Sequence, residues 1–331
     1  MLPDGRIDGS RFLRAGVMSQ SLAAASTIAP VVLPSRLSAP RAAAHEKSIG
    51  DVGTIGGWAL VEPAGTGAFA EVYRARPEAT ATAAPIYAVK RLRPEWEDDA
   101  LVTAMFRREA LVGRGISHPH VVPILSSQTR RPPRFVVMPW LEGHTLADRL
   151  SRAGSPALTE ALWIVRQVAE GLAALEAAGW MHGDVKLENI VVSPSGHATL
   201  VDLGSVRRLD QPDPLSAGIV AGTRGHLAPE CLMPRGRPDV RSDLYSLGVV
   251  LYRLLRGRAT RGAAEPAVPS GESLRHGPPD LTALAPVAPP LVVRLLQRVL
   301  ARDPLRRPQS ADELVSELVG LEIGALAGGG R

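Results

Sequence analysis

The side chains best suited to chemistry lie in two loops that short predicted strands bracket. One loop carries Asp184, Lys186 and Asn189, and a later loop carries Asp202. Mg²⁺ accepts carboxylate and amide oxygens of this kind together with phosphate oxygens and water. Two acidic groups beside a polyphosphate would repel it without a cation, so this chemistry requires the metal. The set predicts phosphoryl transfer, with Lys186 adding positive charge, although any one of these residues alone is more often a polar turn residue.

A glycine-rich turn, Gly65-Thr66-Gly67-Ala68, lies between two predicted strands. Its glycines allow backbone N–H groups to approach an anion without interference from a Cβ atom. Two other phosphate motifs are excluded, because the sequence has no G-x-x-x-x-G-K-[ST] and a strand rather than a helix follows the glycines. The turn is either a lid over phosphates or an ordinary hairpin, and on its own it favours the hairpin.

Lys90 lies within an apolar predicted strand, and Glu109 lies on the predicted helix that follows it. A lone lysine in a strand is most often on a solvated face, and a lone glutamate on a helix is most often exposed. The functional alternative is a phosphate contact that a carboxylate holds in place. A helix packed on the sheet would bring Glu109 to Lys90.

The predicted elements change in character along the chain. Strands are predicted at Trp58–Val61, Ala70–Ala75, Ile86–Leu92, Val121–Leu125 and Phe135–Met138, with one helix over 98–114. Beyond Thr145 the apolar spacing is helical, with a buried helix over 244–255 and a capping box at Ser310 and Glu313. The sequence therefore predicts a small sheet-rich lobe followed by a larger helical lobe.

Composition narrows the class of protein. The 331 residues carry a formal charge of +5, from 38 basic and 33 acidic residues. No run of five like charges occurs, so no nucleic-acid partner is expected. The single cysteine, Cys231, excludes an internal disulfide and favours a reducing, cytoplasmic compartment. Residues 15–35 are uncharged, but their serines and prolines favour a disordered leader over a membrane span or signal peptide, and no membrane insertion is expected.

The motifs form an ordered series along the chain: Gly65-x-Gly67-x-Phe69-Ala70-x-Val72, Ala88-Val-Lys90, Glu109, His182-Gly-Asp184-x-Lys186-x-x-Asn189, Asp202-Leu-Gly204, Gly222-Thr223, Ala228-Pro-Glu230, Asp243-Leu-Tyr-Ser-Leu-Gly248 and Asp303-x-x-x-Arg307-Pro308. This series resembles the eukaryotic-like (Hanks-type) serine/threonine protein kinases. The resemblance implies an α+β, bilobal protein-kinase-like fold, with a small antiparallel-sheet N-lobe that has one helix and a larger helical C-lobe. It divides the chain into a disordered leader over 1–57, a kinase domain over 58–321 and a flexible tail over 322–331. Within the domain, the N-lobe covers about 58–138, the hinge 139–141 and the C-lobe 142–321.

The resemblance implies that ATP binds between the lobes. Lys90 contacts the α- and β-phosphates and pairs with Glu109. At the hinge, the carbonyl of Pro139 accepts a hydrogen bond from adenine and the N–H of Leu141 donates one, so the N–H that proline lacks is not needed. The implied ATP-binding residues are Gly65, Thr66, Gly67, Ala68, Val72, Ala88, Lys90, Glu109, Met138, Pro139 and Leu141.

The resemblance also implies the catalytic and metal-binding roles. Asp184 accepts the proton of the substrate hydroxyl or orients that hydroxyl, and Lys186 stabilises the γ-phosphoryl group. Asn189 and Asp202 bind Mg²⁺, with Mn²⁺ as an alternative metal. The implied substrates are serine and threonine hydroxyls of proteins, with Thr223 in the substrate-docking loop. The oligomeric state stays open.

The resemblance also implies two internal contacts, and the sequence differs from the family pattern at Gly183. Glu230 is implied to pair with Arg307, and Asp243 to hold the backbone of the catalytic loop. Gly183 stands where the family usually has an arginine that pairs with a phosphorylated activation-loop residue. We therefore expect activity that does not strictly require phosphorylation at Ser205, Ser216 or Thr223.

Two alternatives remain open besides an active protein kinase. A pseudokinase scaffold usually lacks an equivalent of Lys90, Asp184 or Asp202, and this sequence contains all three. Small-molecule phosphotransferases share His-Gly-Asp but generally lack the equivalents of Lys186, the Ala-Pro-Glu segment and the Asp243 helix. The complete set favours an enzyme that acts on proteins.

Overall fold

A computed structural model of the chain describes residues 31–32, 52–80, 83–210, 219–220, 226–233, 236–259, 281–284 and 286–328. Ser216, Gly222 and Thr223, which the sequence analysis singled out, lie outside these residues. The strands are β1 (Val31–Val32), β2 (Gly53–Ile55), β3 (Trp58–Thr66), β4 (Ala70–Pro77), β5 (Tyr87–Leu92), β6 (Ser126–Gln128), β7 (Phe135–Pro139), β8 (His144–Thr145), β9 (Trp180–Met181), β10 (Ile190–Val192), β11 (Ala198–Leu200), β12 (Arg207–Arg208) and β13 (Ile219–Val220). The helices are α1 (Ala100–Gly115), α2 (Leu146–Ala153), α3 (Leu158–Ala177), α4 (Val240–Ala259), α5 (Pro290–Val299) and α6 (Ala311–Gly328).

The N-lobe is a six-stranded antiparallel sheet with the strand order β2-β3-β4-β5-β7-β6. Alternate residues of its strands enter two separate apolar clusters, as the period of two in a strand requires. Leu60, Ala75 and Val89 belong to one cluster. Leu92 and Val136 belong to the other, which includes the buried side chains of α1. The small sheet lobe predicted from the sequence is confirmed.

Helix α1 is the helix that follows the predicted strands, and its sequence defines both its start and its buried face. The carboxylate of Asp99 caps the helix by accepting hydrogen bonds from the N–H groups of Leu101 and Val102, both at 2.9 Å. Val102 and Phe106 are buried, and so is the carboxylate-bearing Glu109. Helix packing thus carries an acidic side chain toward the sheet.

The strand predicted at Val121–Leu125 is wrong. Val121 forms only an isolated bridge to Leu200, and the N–H of Val122 donates to the carbonyl of Leu200 at 3.0 Å. Val121, Val122 and Ile124 are buried where this segment meets Leu200 of β11, so their hydrophobicity reflects a lobe junction and not a sheet strand. The sheet strand of this region is β6, which begins one residue later.

The C-lobe is built around α3, α4 and α6, whose apolar faces share one large core. Helix α4 is apolar on nearly all sides, and Leu244, Leu247 and Leu251 are all buried, which confirms the buried helix predicted there. Two small antiparallel sheets, β8-β10-β11 and β9-β12, lie beside these helices and place the loops between their strands. In the described parts of the chain, no helix is both long enough and apolar enough to cross a membrane.

Both predicted ends of the folded domain differ from the structure. Strands β1 and β2 lie within the predicted disordered leader, and β2 pairs with β3 because Ile55 is buried in the N-lobe core. Helix α6 continues past Leu321 into the predicted flexible tail. Glu322 accepts two hydrogen bonds from Arg166 of α3, each at 3.0 Å, and this contact holds the extra helical turn against the C-lobe.

Candidate active site

The two reactive loops lie side by side because paired strands hold their ends. The loop with Asp184 runs from β9 to β10, and the loop with Asp202 runs from β11 to β12. Strands β10 and β11 pair antiparallel, and so do β9 and β12. The N-lobe closes the arrangement, since α1 packs against the short 3₁₀ turn Leu203–Ser205 that follows Asp202.

Lys90 joins the two lobes through its ammonium group. Its Nζ donates to both carboxylate oxygens of Glu109, at 2.7 and 2.8 Å, and to Oδ1 of Asp202 at 2.7 Å. Burial alone would lower the pKa of Lys90, but the two carboxylates outweigh it and raise that pKa above its ordinary value. Burial alone would raise the pKa of Asp202, yet the Lys90 charge holds it well below its usual range. Lys90 and Asp202 are therefore charged near neutral pH, whereas burial raises the pKa of Glu109 against the opposing effect of the Lys90 charge.

Asp184 is the centre of a second charged group in the catalytic loop. Lys186 Nζ donates to its Oδ2 at 2.5 Å, and Asn189 Nδ2 donates to the same oxygen at 3.1 Å. Asn189 also donates to the backbone carbonyl of Asp184 at 2.9 Å, so one amide fixes both the loop and the carboxylate. Lys186 and Asn189 are buried. The contacts with Lys186 and Asn189 thus give the carboxylate of Asp184 a defined direction.

The donor set fits a hard divalent cation. The Oδ1 atom of Asn189 is buried and has no hydrogen-bond partner among the described residues. A buried amide oxygen without a partner is uncommon, because its desolvation is not compensated. Asp202 supplies an ionised carboxylate from the neighbouring loop. Asn189 and Asp202 are therefore the residues that would hold Mg²⁺, which prefers oxygen ligands.

Asp202 has a backbone conformation that few residues with a side chain adopt. Its φ is 64°, in the left-handed region, and among the described residues it is the one non-glycine with positive φ. Its Oδ1 accepts a hydrogen bond from the N–H of Gly204 at 3.3 Å. Strain of this kind persists where surrounding structure determines it, and it clusters at functional sites.

The glycine-rich turn connects β3 to β4 as a strand–turn–strand hairpin, with Gly65 opposite Val72. The N–H of Gly67 donates to the carbonyl of Ala70 at 2.8 Å and closes the turn, which includes Thr66 and Ala68. The hinge lies at the other end of the sheet. Ala88 faces Met138 across the β5–β7 pair, and Tyr87 faces Pro139, with Leu141 two residues further on. The predicted ATP-binding residues of the sheet therefore lie on the neighbouring strands β3, β4, β5 and β7 and in the turn and hinge next to them.

Helix α4 holds the catalytic loop through Asp243. The backbone N–H groups of His182 and Gly183 donate to its two carboxylate oxygens, at 2.6 and 2.8 Å. Burial raises the pKa of Asp243 to about 7, while the two backbone hydrogen bonds act in the opposite direction. This buried residue ties the backbone beside Asp184 to the core of the C-lobe.

Glu230 and Arg307 form a buried, bidentate ion pair, at 2.6 and 2.9 Å. Arg307 also stacks over the ring of Tyr245, and Ser242 of α4 donates to Glu230 at 2.7 Å. The Ala-Pro-Glu segment at 228–230 is therefore fixed to the C-lobe by Arg307, the predicted partner of Glu230, and by Ser242, which was not predicted.

Comparison with known proteins agrees with this geometry. The family model described as protein kinase domain matches residues 58–318. The chain belongs to the protein kinase family. It is 34% identical over 272 residues to the serine/threonine-protein kinase pkn2 of Myxococcus xanthus, which covers 80% of this chain and 32% of that protein. It is 32% identical over 278 residues to PknJ of Mycobacterium tuberculosis, covering 82% of this chain and 46% of that protein.

A further relative, PknD of Mycobacterium tuberculosis, is 31% identical over 261 residues, with 78% of this chain and 39% of that protein covered. The chain thus spans less than half the length of the curated relatives that it matches. The eukaryotic-like serine/threonine kinase resemblance inferred from the motifs is confirmed at the level of the family, and so is the bilobal fold.

Gly183 is the main departure of this protein kinase from its family pattern, and the structure gives a reason for glycine. Its φ is +81°, and a Cβ atom there would lie 2.5 Å from the carbonyl oxygen of Ser205. A larger residue would have to displace the turn that follows Asp202. The close approach of the catalytic loop to this turn therefore depends on the absence of a side chain.

Several contacts of this kinase domain were missed by sequence reasoning. Arg108 donates from α1 to the carbonyl of Val206 at 2.9 Å, which ties the helix that carries Glu109 to the start of the activation segment. His226 is 4% exposed and hydrogen-bonded to Arg253 of α4. Because these partners are far apart in sequence, spacing gives no signal for them. The remaining histidines form no metal cluster among the described residues.

Proposed function

We propose that the protein is an ATP-dependent serine/threonine kinase that transfers the γ-phosphoryl group to hydroxyl groups of protein substrates. The observation that carries this proposal is the double contact of Lys90 with Glu109 and Asp202. It joins the predicted phosphate-binding strand, the α1 helix and the predicted metal-binding loop in one charged cluster. Catalysis of phosphoryl transfer depends mainly on such positioning and charge.

Each residue of the candidate site would have a separate role in phosphoryl transfer. Lys90 would bind the α- and β-phosphates beneath the turn at 65–68. Asp184, which Lys186 and Asn189 hold in place, would orient the acceptor hydroxyl and take its proton. Lys186 would stabilise charge on the transferring group. Mg²⁺ or Mn²⁺ held by Asn189 and Asp202 would neutralise phosphate charge when bound.

Protein substrates are favoured over small molecules by the fixed Ala-Pro-Glu segment. The buried pair of Glu230 and Arg307 anchors this segment to the C-lobe beside α4. A small-molecule phosphotransferase has no need of a rigid docking segment outside its cleft. The complete charged set likewise disfavours a pseudokinase scaffold. A cytoplasmic location is part of the proposal, because Cys231 is the one cysteine of the sequence.

The test is transfer of radiolabelled phosphate from ATP to a generic protein substrate with Mg²⁺ or Mn²⁺ present. Asp184→Asn should lower transfer by roughly three orders of magnitude or more, because it removes the proton acceptor. Asp312→Asn is the matched control, since this exposed aspartate on α6 lies outside the site. A wild-type protein that transfers phosphate to neither proteins nor itself would contradict the proposal, and transfer only to aminoglycosides or choline would favour the small-molecule alternative.

A further inference from the structure

The side chain of His226 is anchored to α4 but leaves one ring nitrogen without a partner. Its Nε2 lies 3.0 Å from a terminal guanidinium nitrogen (Nη1) of Arg253, and its carbonyl accepts a hydrogen bond from Ser246 at 2.8 Å. Because arginine can only donate, Nε2 is the acceptor, and the proton of the neutral ring lies on Nδ1. In the part of the chain that the structure describes, that buried N–H has no hydrogen-bond partner. An unpaired buried donor indicates a missing acceptor.

Arg253 carries a charge that no described carboxylate neutralises. Among the residues that the structure describes, it pairs with the neutral ring of His226 and with no carboxylate. A guanidinium has five N–H donors, and one contact to His226 leaves the others available. Arg307 of the C-lobe is by contrast paired with the carboxylate of Glu230 through two hydrogen bonds. Arg253 and His226 therefore present donors and positive charge without an anion.

The pair lies next to the catalytic machinery. His226 lies two residues before Ala228, and Ser246, which donates to its carbonyl, lies one turn along α4 from Asp243, which holds the catalytic loop. Burial and the charges of Arg253 and Lys186 lower the pKa of the His226 ring. Burial is the larger cause of that shift, so the ring is neutral near pH 7. A ligand group at this position would therefore be close to the acceptor hydroxyl that Asp184 is proposed to orient.

We infer that Arg253 determines peptide specificity by binding a carboxylate side chain of the protein substrate, with His226 positioning its guanidinium. A carboxylate accepts the planar pairs of hydrogen bonds that a guanidinium offers, and such pairs are stronger than neutral hydrogen bonds. This inference rests on the proposed kinase function and names the substrate class of that site as acidic peptides.

The experiment uses peptides with one Ser or Thr acceptor in a neutral background. An Asp residue is moved through each of the neighbouring positions, and kcat/KM is measured against peptides with Ala or Lys there. Wild-type protein should prefer Asp at one position by roughly tenfold to a hundredfold, in line with a charge-assisted hydrogen bond. The preference should appear mainly in KM, because the carboxylate takes no part in the transfer step.

Charge reversal then assigns the preference to one residue. Arg253→Glu should abolish the preference for Asp and favour Lys at the same position, and Arg253→Met should leave neither preference. Arg256→Glu is the matched control, because it makes the same charge change one turn along α4 at a side chain that stacks on Tyr252. His226→Leu should weaken the preference for Asp, and His226→Gln, which retains an acceptor for Arg253, should restore it in part.

The outcomes separate this inference from the kinase proposal. No transfer to any peptide or protein would contradict the kinase proposal itself. Transfer without a preference for Asp, or with a preference that Arg253→Glu leaves intact, would overturn the inference while the kinase activity stands. A preference that disappears after phosphatase treatment of the kinase would show that the anion bound at Arg253 is a phosphate of the kinase, which also overturns it. Thermal unfolding confirms that each variant is folded.

Discussion

The Nζ atom of Lys90 lies 2.7 Å from Oδ1 of Asp202, although 112 positions separate them in the sequence. One cation therefore balances the carboxylates of Asp202 and Glu109. We predict that Lys90→Met lowers phosphate transfer by about a thousandfold or more, because the phosphates lose their cation and the two carboxylates repel each other. Transfer of radiolabelled phosphate measures the rate, and circular dichroism reports whether the fold remains. Arg91→Met on the same strand, where Arg91 pairs with Glu71, should keep most of the activity.

The ion pair of Glu230 and Arg307 should matter more for stability than any exposed pair. Arg307→Met leaves Glu230 buried without its cation, and we predict a loss of about 3–5 kcal/mol in the free energy of unfolding. Arg298→Met is the matched control, because Arg298 pairs with Glu313 and Glu317 at the surface and should cost about 0–1 kcal/mol. Urea denaturation measures both. Equal losses for the two variants would contradict the prediction.

Substitution of Gly183 and of Gly179 by alanine distinguishes two causes of lost stability, backbone strain and a steric clash. Both have a φ near +80°, but a Cβ atom at Gly179 meets nothing within 4 Å, whereas at Gly183 it meets the carbonyl of Ser205 at 2.5 Å. We predict that Gly179→Ala costs about 1 kcal/mol and that Gly183→Ala costs about 1–3 kcal/mol more. Gly183→Ala should also slow phosphate transfer, since it displaces the loop with Asp184. A similar midpoint for both variants in thermal unfolding would be inconsistent with the close contact.

His226 should give the protein an acid-sensitive stability. Burial, together with the charges of Arg253 and Lys186, lowers the pKa of His226 from 6.5 to about 3. Between these values the unfolded chain binds a proton at His226 and the folded chain does not. The free energy of unfolding should therefore fall as the pH decreases from about 6.5 toward about 3.

The His226→Gln variant isolates this contribution to stability. The difference in free energy of unfolding between wild type and His226→Gln should become less favourable to wild type on acidification and level off above about pH 7. Urea unfolding at a series of pH values measures it. The exposed His144→Gln variant should retain the wild-type slope, because His226 is still present. A difference that does not change with pH would refute the neutral, buried state of His226.

Activation without phosphorylation is expected because glycine at position 183 offers no cation to a phosphate. We predict equal specific activity for protein treated and untreated with phosphatase. Mass spectrometry verifies that Ser205, Ser216 and Thr223 are free of phosphate after treatment. Loss of activity on treatment would show that another cation replaces the missing arginine.

The sequence predicts well those parts of the fold that show a local hydrophobic periodicity or belong to the ordered series of motifs. Helix α1, the buried helix α4 and the pairing of Lys90 with Glu109 belong to this group. The apolar run at 121–125 was predicted as a strand, because burial at a lobe junction and burial in a sheet leave the same local pattern. The hydrogen bond between His226 and Arg253 depends on how one segment docks on α4, and no local pattern encodes such docking.

Helix α4 sets the spacing between the catalytic loop and the proposed binding position of the acceptor peptide. Asp243 holds the backbone of the loop with Asp184, and Ser246 and Arg253 hold His226 on the side where the acceptor peptide is proposed to bind. If this helix moves, the catalytic loop and the segment with His226 move together with it. Motion of the surrounding lobe therefore leaves the distance between the acceptor peptide and the catalytic loop unchanged. A variant that bends α4 between Asp243 and Arg253 should alter this distance while leaving the contacts of Asp243 and of Arg253 intact.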